Sequence, residues 1–411
     1  MRSIQLKTLF GGLAVILAML ACSFTSPALP TLATFPPVPT ATDTASPVPA
    51  TVAPAIPAAT DTATALLATN TPAVQPLPVL ASPSIHFLDM LDDQNGWALT
   101  DKGVIRTMDG GTSWYDATPA NLNGAPVAPA FLNASTAWLA AMGADPNSGS
   151  IYHTIDGGAT WNSVAVPFGG GSLKFVDPMD GWELIGLSAG MSHEAVSVYR
   201  TSDGGTTWSR VFTDDPGATG SSDSLPLVGD KNGIIAVDAS HAWVTGAQPS
   251  DNFFYVYKTQ DGGITWTHQD LAMPAGYNGA MTSPSLPIFF SANEAVLPVL
   301  LFANNNGTDF YVSHNGGQTW SATTPVPQGG NLAVASPTDF FIWDGSAPLY
   351  VSHDAGASWS TVTPNINIKD NMDSLQFVNA TMGWALTADG NGHCMLYKTA
   401  DGGAGWTALI P

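Results

Sequence analysis

"TSDGGTTW" occupies residues 201–208, "TMDGGTSW" 107–114 and "TIDGGATW" 154–161. The same eight-letter frame returns as "TQDGGITW" (259–266), "SHNGGQTW" (313–320), "SHDAGASW" (352–359) and "TADGGAGW" (399–406). Its third letter falls at Asp109, Asp156, Asp203, Asp261, Asn315, Asp354 and Asp401, with successive spacings of 47, 47, 58, 54, 39 and 47 residues. Periods in the forties with strand-like content mark propeller blades. Working outward, a short "GWAL"-like strand precedes each frame, at Gly96-Trp97, Ala137-Trp138, Gly181-Trp182, Ala242-Trp243, Ile342-Trp343 and Gly383-Trp384, with Ala295-Val296 in the fifth unit. The frame tryptophans (Trp114, Trp161, Trp208, Trp266, Trp320, Trp359 and Trp406) and these six together make all 13 in the chain. A tryptophan fixed in a repeat is most simply core between stacked sheets.

Each unit reads as four short strands. In the last they are 374–378, 383–387, 394–399 and 405–410. Apolar and β-branched runs alternate with turn residues, and no helical stripe interrupts them. The frame lies between the third and fourth strands, so it is a hairpin turn. The Asp carboxylate suits an Asx-type turn, and the glycine two positions on permits positive φ. The expectation is an all-β, seven-bladed β-propeller of four-stranded blades over 85–411, each blade continuous in sequence, with blade seven packing on blade one.

The pattern S/T-x-D-x-G-x-T/S-W resembles the Asp box, or BNR repeat, of sialidases and related propellers. The combined "GWA…T-x-DGG-x-TW" unit is similar to the photosystem II stability/assembly factor family. The resemblance implies a seven-bladed, sialidase-like fold in which the boxes are structural and lie away from active sites.

The front of the chain differs. Arg2 and Lys7 precede an apolar run, Leu9–Leu20, too short to span a bilayer, which reads as a secretory signal over 1–21. "MLAC" (19–22) resembles the lipobox of bacterial lipoproteins, which implies lipidation at Cys22. Residues 22–84 are rich in Pro, Thr and Ala, with Asp43 and Asp61 as their only charges. Proline at that density gives a disordered, semi-stiff linker reaching at most roughly 190 Å. Together these features predict a domain exported across the bacterial plasma membrane and held by lipid at the cell surface.

The formal net charge is −21, and without the signal nine basic residues face 32 acidic ones. No basic stripe exists, which excludes nucleic acid as a partner. Cys394 is the only cysteine beyond Cys22, and His393 beside it has no clustered co-ligands, so neither a metal nor another cofactor is expected.

Propeller geometry puts the box on the same face as the short turns between first and second strands. Length variation lies on the opposite face, in 186–195, 213–231, 271–286 and 302–309. Insertions on one face mark a binding face. The candidate contacts there are Asp214, Asp215, Tyr277, Asn278 and Met281, on links expected to be solvated. A sialidase needs three convergent arginines and a Tyr–Glu pair. The mature chain has only Arg106, Arg200 and Arg210, two of them at one repeat position, and Glu183, Glu194 and Glu294. No catalytic residue is assigned. The expected function is a non-catalytic, membrane-anchored propeller that binds or scaffolds a protein or glycan, of undetermined oligomeric state. A divergent sialidase-like glycoside hydrolase is the alternative, and a surface spacer without a specific ligand is the third reading.

Overall fold

The computed structural model describes residues 77–410 except 123, 145–147, 191–192 and 389–393. Cys22, the signal, nearly all of the linker and His393 lie outside the described residues. Within them the chain forms seven antiparallel sheets, each of consecutive strands, arranged as a seven-bladed propeller. Blade seven is typical: Met372–Phe377, Gly383–Ala388, Cys394–Thr399 and Thr407–Ile410 run from inside outward. Among the described residues the one helical element is a single 3-10 turn, Lys369–Asn371.

Two blades depart from four plain strands. Val79–Leu80 adds to the outer edge of blade one by pairing with Trp114–Tyr115, so ordered pairing begins ahead of residue 85. In blade five the inner strand is broken into Met281–Pro284 and Ile288–Phe289, both on Ala295–Phe302.

Register decides the core. In every blade the first letter of the box pairs with the first residue of the second strand: Gly96 with Thr107, Ala137 with Thr154, Gly181 with Thr201 and Gly383 with Thr399. The next residue outward from the box points at the following blade. It is Trp97, Trp138, Trp182, Trp243 or Trp384, all buried. Blade six corrects the sequence alignment. Phe340 pairs with Ser352, so Phe341 takes the tryptophan position and Trp343 lies two residues beyond it. Phe341 stacks on Phe377 of the next blade at 3.7 Å, the role the indole has elsewhere.

The ring closes by side-chain contacts between blades seven and one. Trp384 Nε1 donates to Gly110 O at 3.0 Å. The Gln376 amide accepts from Met90 N–H at 2.8 Å and donates to Met90 O at 3.0 Å, which mimics a strand pair across the seam.

Candidate functional site

The boxes form one repeated hydrogen-bond circuit. In the third, Thr201 Oγ1 donates to Asp203 Oδ1 at 2.8 Å and accepts from the N–H of Gly205 at 3.0 Å. Asp203 then accepts from Thr207 N–H at 2.8 Å and from its hydroxyl at 2.6 Å. Asp109, Asp156, Asp261, Asp354 and Asp401 repeat the Thr/Ser-to-carboxylate bond at 2.8–2.9 Å, and in box five the Asn315 amide oxygen accepts from the Ser313 hydroxyl at 3.0 Å. The Thr207 hydroxyl and N–H hold the Asp203 carboxyl below its ordinary range. Trp114, Trp266 and Trp406 are buried, whereas Trp161, Trp208, Trp320 and Trp359 are half-buried at the blade edges.

Three residues before the box Asp, five blades carry a polar side chain beside the tryptophan position or the next box, and blades five and six carry Val312 and Val351. Arg106 lies 5.5 Å from the Trp97 ring and donates to Gly157 O of the next box at 3.0 Å. Arg200 sits 4.5 Å over Trp182, and Lys398 5.1 Å over Trp384. His153 stacks on Trp138 at 4.4 Å. Lys258 donates to Gln318 Oε1 of box five at 2.7 Å. Arg106, Arg200, Lys258 and Lys398 sit on four different blades and do not converge.

Two links of the opposite face carry buried anchors, while 216–217, 219–221, 275–276, 278–279 and 302–306 are exposed. Asp214 is only 3% exposed. Its Oδ1 accepts from Val196 N–H at 2.6 Å, and its Oδ2 lies 3.8 Å from the Lys231 ammonium. Lys231 in turn donates to the carbonyls of Glu194, Leu227 and Gly229 at 2.6, 3.0 and 3.2 Å. Leu225, mid-link, is fully buried against blades three and four. Tyr277 is 8% exposed and belongs to the core between blades four and five with Leu297, Val299 and Tyr311. It presents no flat aromatic face to a ligand. Asp215 is half-buried, with its carboxylate accepting from Gly217 N–H at 2.9 Å. Asn278 is exposed, and Met281, 43% exposed, opens the inner strand of blade five. The structure therefore does not gather the five candidates into one surface.

What it does gather is a ring in the channel. Reading the partner of each tryptophan position on the innermost strand gives Asp89, Ala130, Lys174, Ile235, Ile288, Ala333 and Gln376. Asp89 and Gln376 are neighbours across the seam, with Gln376 Nε2 3.4 Å from Asp89 Oδ1. Burial pushes the Asp89 carboxyl up and the Lys174 ammonium down, and each partly offsets the other's shift through their attraction. Two residues nearer the box face, every blade closes its first turn with the same backbone bond, donated by Leu91, Leu132, Val176, Val237, Phe290, Ala335 and Val378. Four of these side chains, Leu132, Val176, Val237 and Phe290, form an apolar collar at the channel mouth. Over blades three to five the collar opens into a cleft of about 770 Å³, lined by Lys174, Val176, Ile235, Val237, Ile288 and Phe290 among others, with Asn315 and Gln318 of box five at its rim. Sequence reading missed this site because its members lie one per blade. Aligning the units on their tryptophans, rather than on the boxes alone, exposes the column.

The charges a sialidase-like centre would use are committed elsewhere. Arg106 staples blades one and two, Arg200 lies over Trp182 and 3.8 Å from Asp180 within its own blade, and Arg210 donates to Thr219 O at 3.0 Å on the outer rim. Glu183 is fully buried between blades, Glu194 accepts from Lys231 N–H at 2.6 Å, and Glu294 holds His314 at 2.8 Å. Among the described residues no three His, Cys, Asp or Glu side chains are grouped to hold a metal ion.

The BNR/Asp-box repeat family matches residues 311–322, which carry box five. No curated protein matches the chain. Among solved structures the chain is similar to YCF48 bound to D1 peptide, at 15% identity and a TM-score of 0.51, covering 80% of this chain and 97% of that one. It is also similar to the GH74 xyloglucanase from Xanthomonas campestris, at 17% identity and a TM-score of 0.53, covering 82% of this chain and 55% of that one. A third is the oligogalacturonate lyase from Vibrio parahaemolyticus, at 10% identity and a TM-score of 0.53, covering 80% and 92%. These likenesses show a shared propeller fold. The chain spans about half the length of the xyloglucanase.

Proposed function

We propose that this chain is a non-catalytic, membrane-anchored extracytoplasmic propeller that binds or scaffolds a protein or glycan partner. The observation that carries this reading is the use of its arginines and glutamates: each serves a blade seam, a buried core or a surface turn. Propellers of this shape include one solved with a D1 peptide and one that is a xyloglucanase, so peptide and glycan are both partner chemistries the fold accommodates. Anchoring rests on the signal-like run and Cys22. The test has two arms. Labelled palmitate should enter the full chain and be lost in Cys22→Ser. Cross-linking of the full chain on intact cells should then capture a defined protein or glycan partner. An unlabelled chain, or a chain that captures no partner and hydrolyses glycosides, overturns the reading.

The hydrolase alternative has one observation in its favour. Asp89 is a channel carboxylate whose acidity burial weakens, a property suited to a general acid. If glycoside hydrolysis is measured and Asp89→Asn abolishes it in folded protein, that alternative replaces the scaffold.

A further inference from the structure

We propose that the box-side channel mouth is a binding site for a small amphiphilic carboxylate, its head group on the Lys174 ammonium and its apolar body within the collar. This inference goes beyond the scaffold reading and does not depend on it. The cleft, at about 770 Å³, falls in the size range of small-molecule sites. Its apolar wall comes from Val176, Ile235, Val237, Ile288 and Phe290, and His241, Ser291, Asn315 and Gln318 add polar groups around it. An apolar wall with a few fixed polar groups is the usual composition of such sites.

The charges at the cleft decide the sign of the ligand. Asp238 at the rim is solvent-exposed and already bonded within its own turn: its Oδ1 accepts from Ser240 N–H at 2.7 Å and His241 N–H at 2.8 Å, and His241 Nδ1 lies 2.9 Å from Oδ2. Solvent screens an exposed carboxylate, so a cationic ligand would gain little from it. Lys174 is different. Among the described residues no hydrogen bond to its ammonium exists, and its counter-charge, Asp89, stands two blades away around the ring, beyond the small Ala130. Asp89 is itself tied to Gln376. A half-buried ammonium with a distant counter-ion gains most from a single carboxylate at close range, because the Coulomb term strengthens as water is excluded. Lysine is a point charge rather than a planar fork, so one monoanionic group suffices. A polyanion is disfavoured by the formal net charge of −21, whereas a monoanion with an apolar body gains burial to offset that field.

The experiment titrates the full chain calorimetrically with decanoate and, separately, with decanol, which has the same chain length and no charge. Decanoate should bind one site per chain, at least about tenfold more tightly than decanol. Lys174→Met should erase that preference, and Lys174→Arg should keep most of it. Val237→Glu, at an exposed collar position, should repel decanoate more than decanol, and it keeps the test open if Lys174→Met melts early. Equal affinities for the two probes in the wild-type chain, or an undiminished preference in both Lys174→Met and Val237→Glu, would overturn the proposal. Partner capture on cells is read independently, so either proposal can fail alone.

Discussion

Ala355 holds φ at +57° where the other six boxes place Gly110, Gly157, Gly204, Gly262, Gly316 and Gly402 at +66° to +77°. The left-handed region costs a residue with a Cβ about 1–2 kcal/mol. Ala355→Gly should therefore stabilise the protein by roughly 0.5–1 kcal/mol once the extra freedom of glycine in the unfolded chain is subtracted. A rise in denaturant midpoint at constant m-value checks this. At the tryptophans the two repeat positions should separate. Trp138 is fully buried between Phe175 and His153, and Trp138→Ala should cost about 3–5 kcal/mol. Trp208 is half-buried, and Trp208→Ala should cost visibly less in the same urea titration. The box was readable as letters because each letter makes a local bond: Thr201 to Asp203, Asp203 to Thr207, Gly205 to Thr201. Trp343 was misplaced for the opposite reason. Strand register is fixed by the Phe340–Ser352 pairing, and a lone aromatic letter does not report it.

At the level of strands and links, the alternation of turn and apolar run located blade seven's strands to within about two residues, since each strand has its own local period. The long links carry no such period. Their order comes from contacts distant in sequence, such as Leu225 against blades three and four and Tyr277 against blade five. Loop length alone costs little, which favours an expectation that shortening 213–231 would be neutral. The structure reverses that expectation. The link carries Leu225 into the core, seats Asp214 on Val196 N–H, and delivers Lys231 to three carbonyls. Leu225→Ala should cost about 2–4 kcal/mol, and excision of 216–225 should lower the melting temperature at least as much. If the excised chain melts with the wild type, the link is tolerated length and the buried contacts contribute nothing. The channel ring was likewise illegible in any one blade, because Asp89, Lys174 and Gln376 become a set only when the sheets close.

For the whole molecule, acidity should act in two directions, and the sign follows from where each carboxyl sits. The box aspartates Asp109, Asp156, Asp203, Asp261, Asp354 and Asp401 are all held below their ordinary range in the fold. Their contribution is therefore present above the unfolded value near 3.8 and is lost as pH falls through the folded values. Asp309 is the reverse case. It is wholly buried between blades, with Oδ1 accepting from Phe310 N–H and the Thr323 hydroxyl at 2.8 Å each and Oδ2 without a partner. Burial pushes it up to about 6. Glu183, with neither carboxylate oxygen partnered, is pushed well up by the same cause. For these two, ionisation costs the fold stability. That cost is complete above the folded value and disappears as pH falls toward the unfolded one. Protonation also reduces the self-repulsion of a chain whose formal charge is −21. The melting temperature should thus rise as pH is lowered from 7.5 toward 5, then fall once the boxes protonate below about 3.8. Asp309→Asn removes one titrating group and should flatten the rise between pH 7 and 5, while leaving the acid collapse in place. Calorimetric scans of both chains at half-unit intervals test this. A melting temperature that falls steadily from neutral pH would show that the buried carboxyls do not govern this range, and an unchanged slope in Asp309→Asn would remove Asp309 from it.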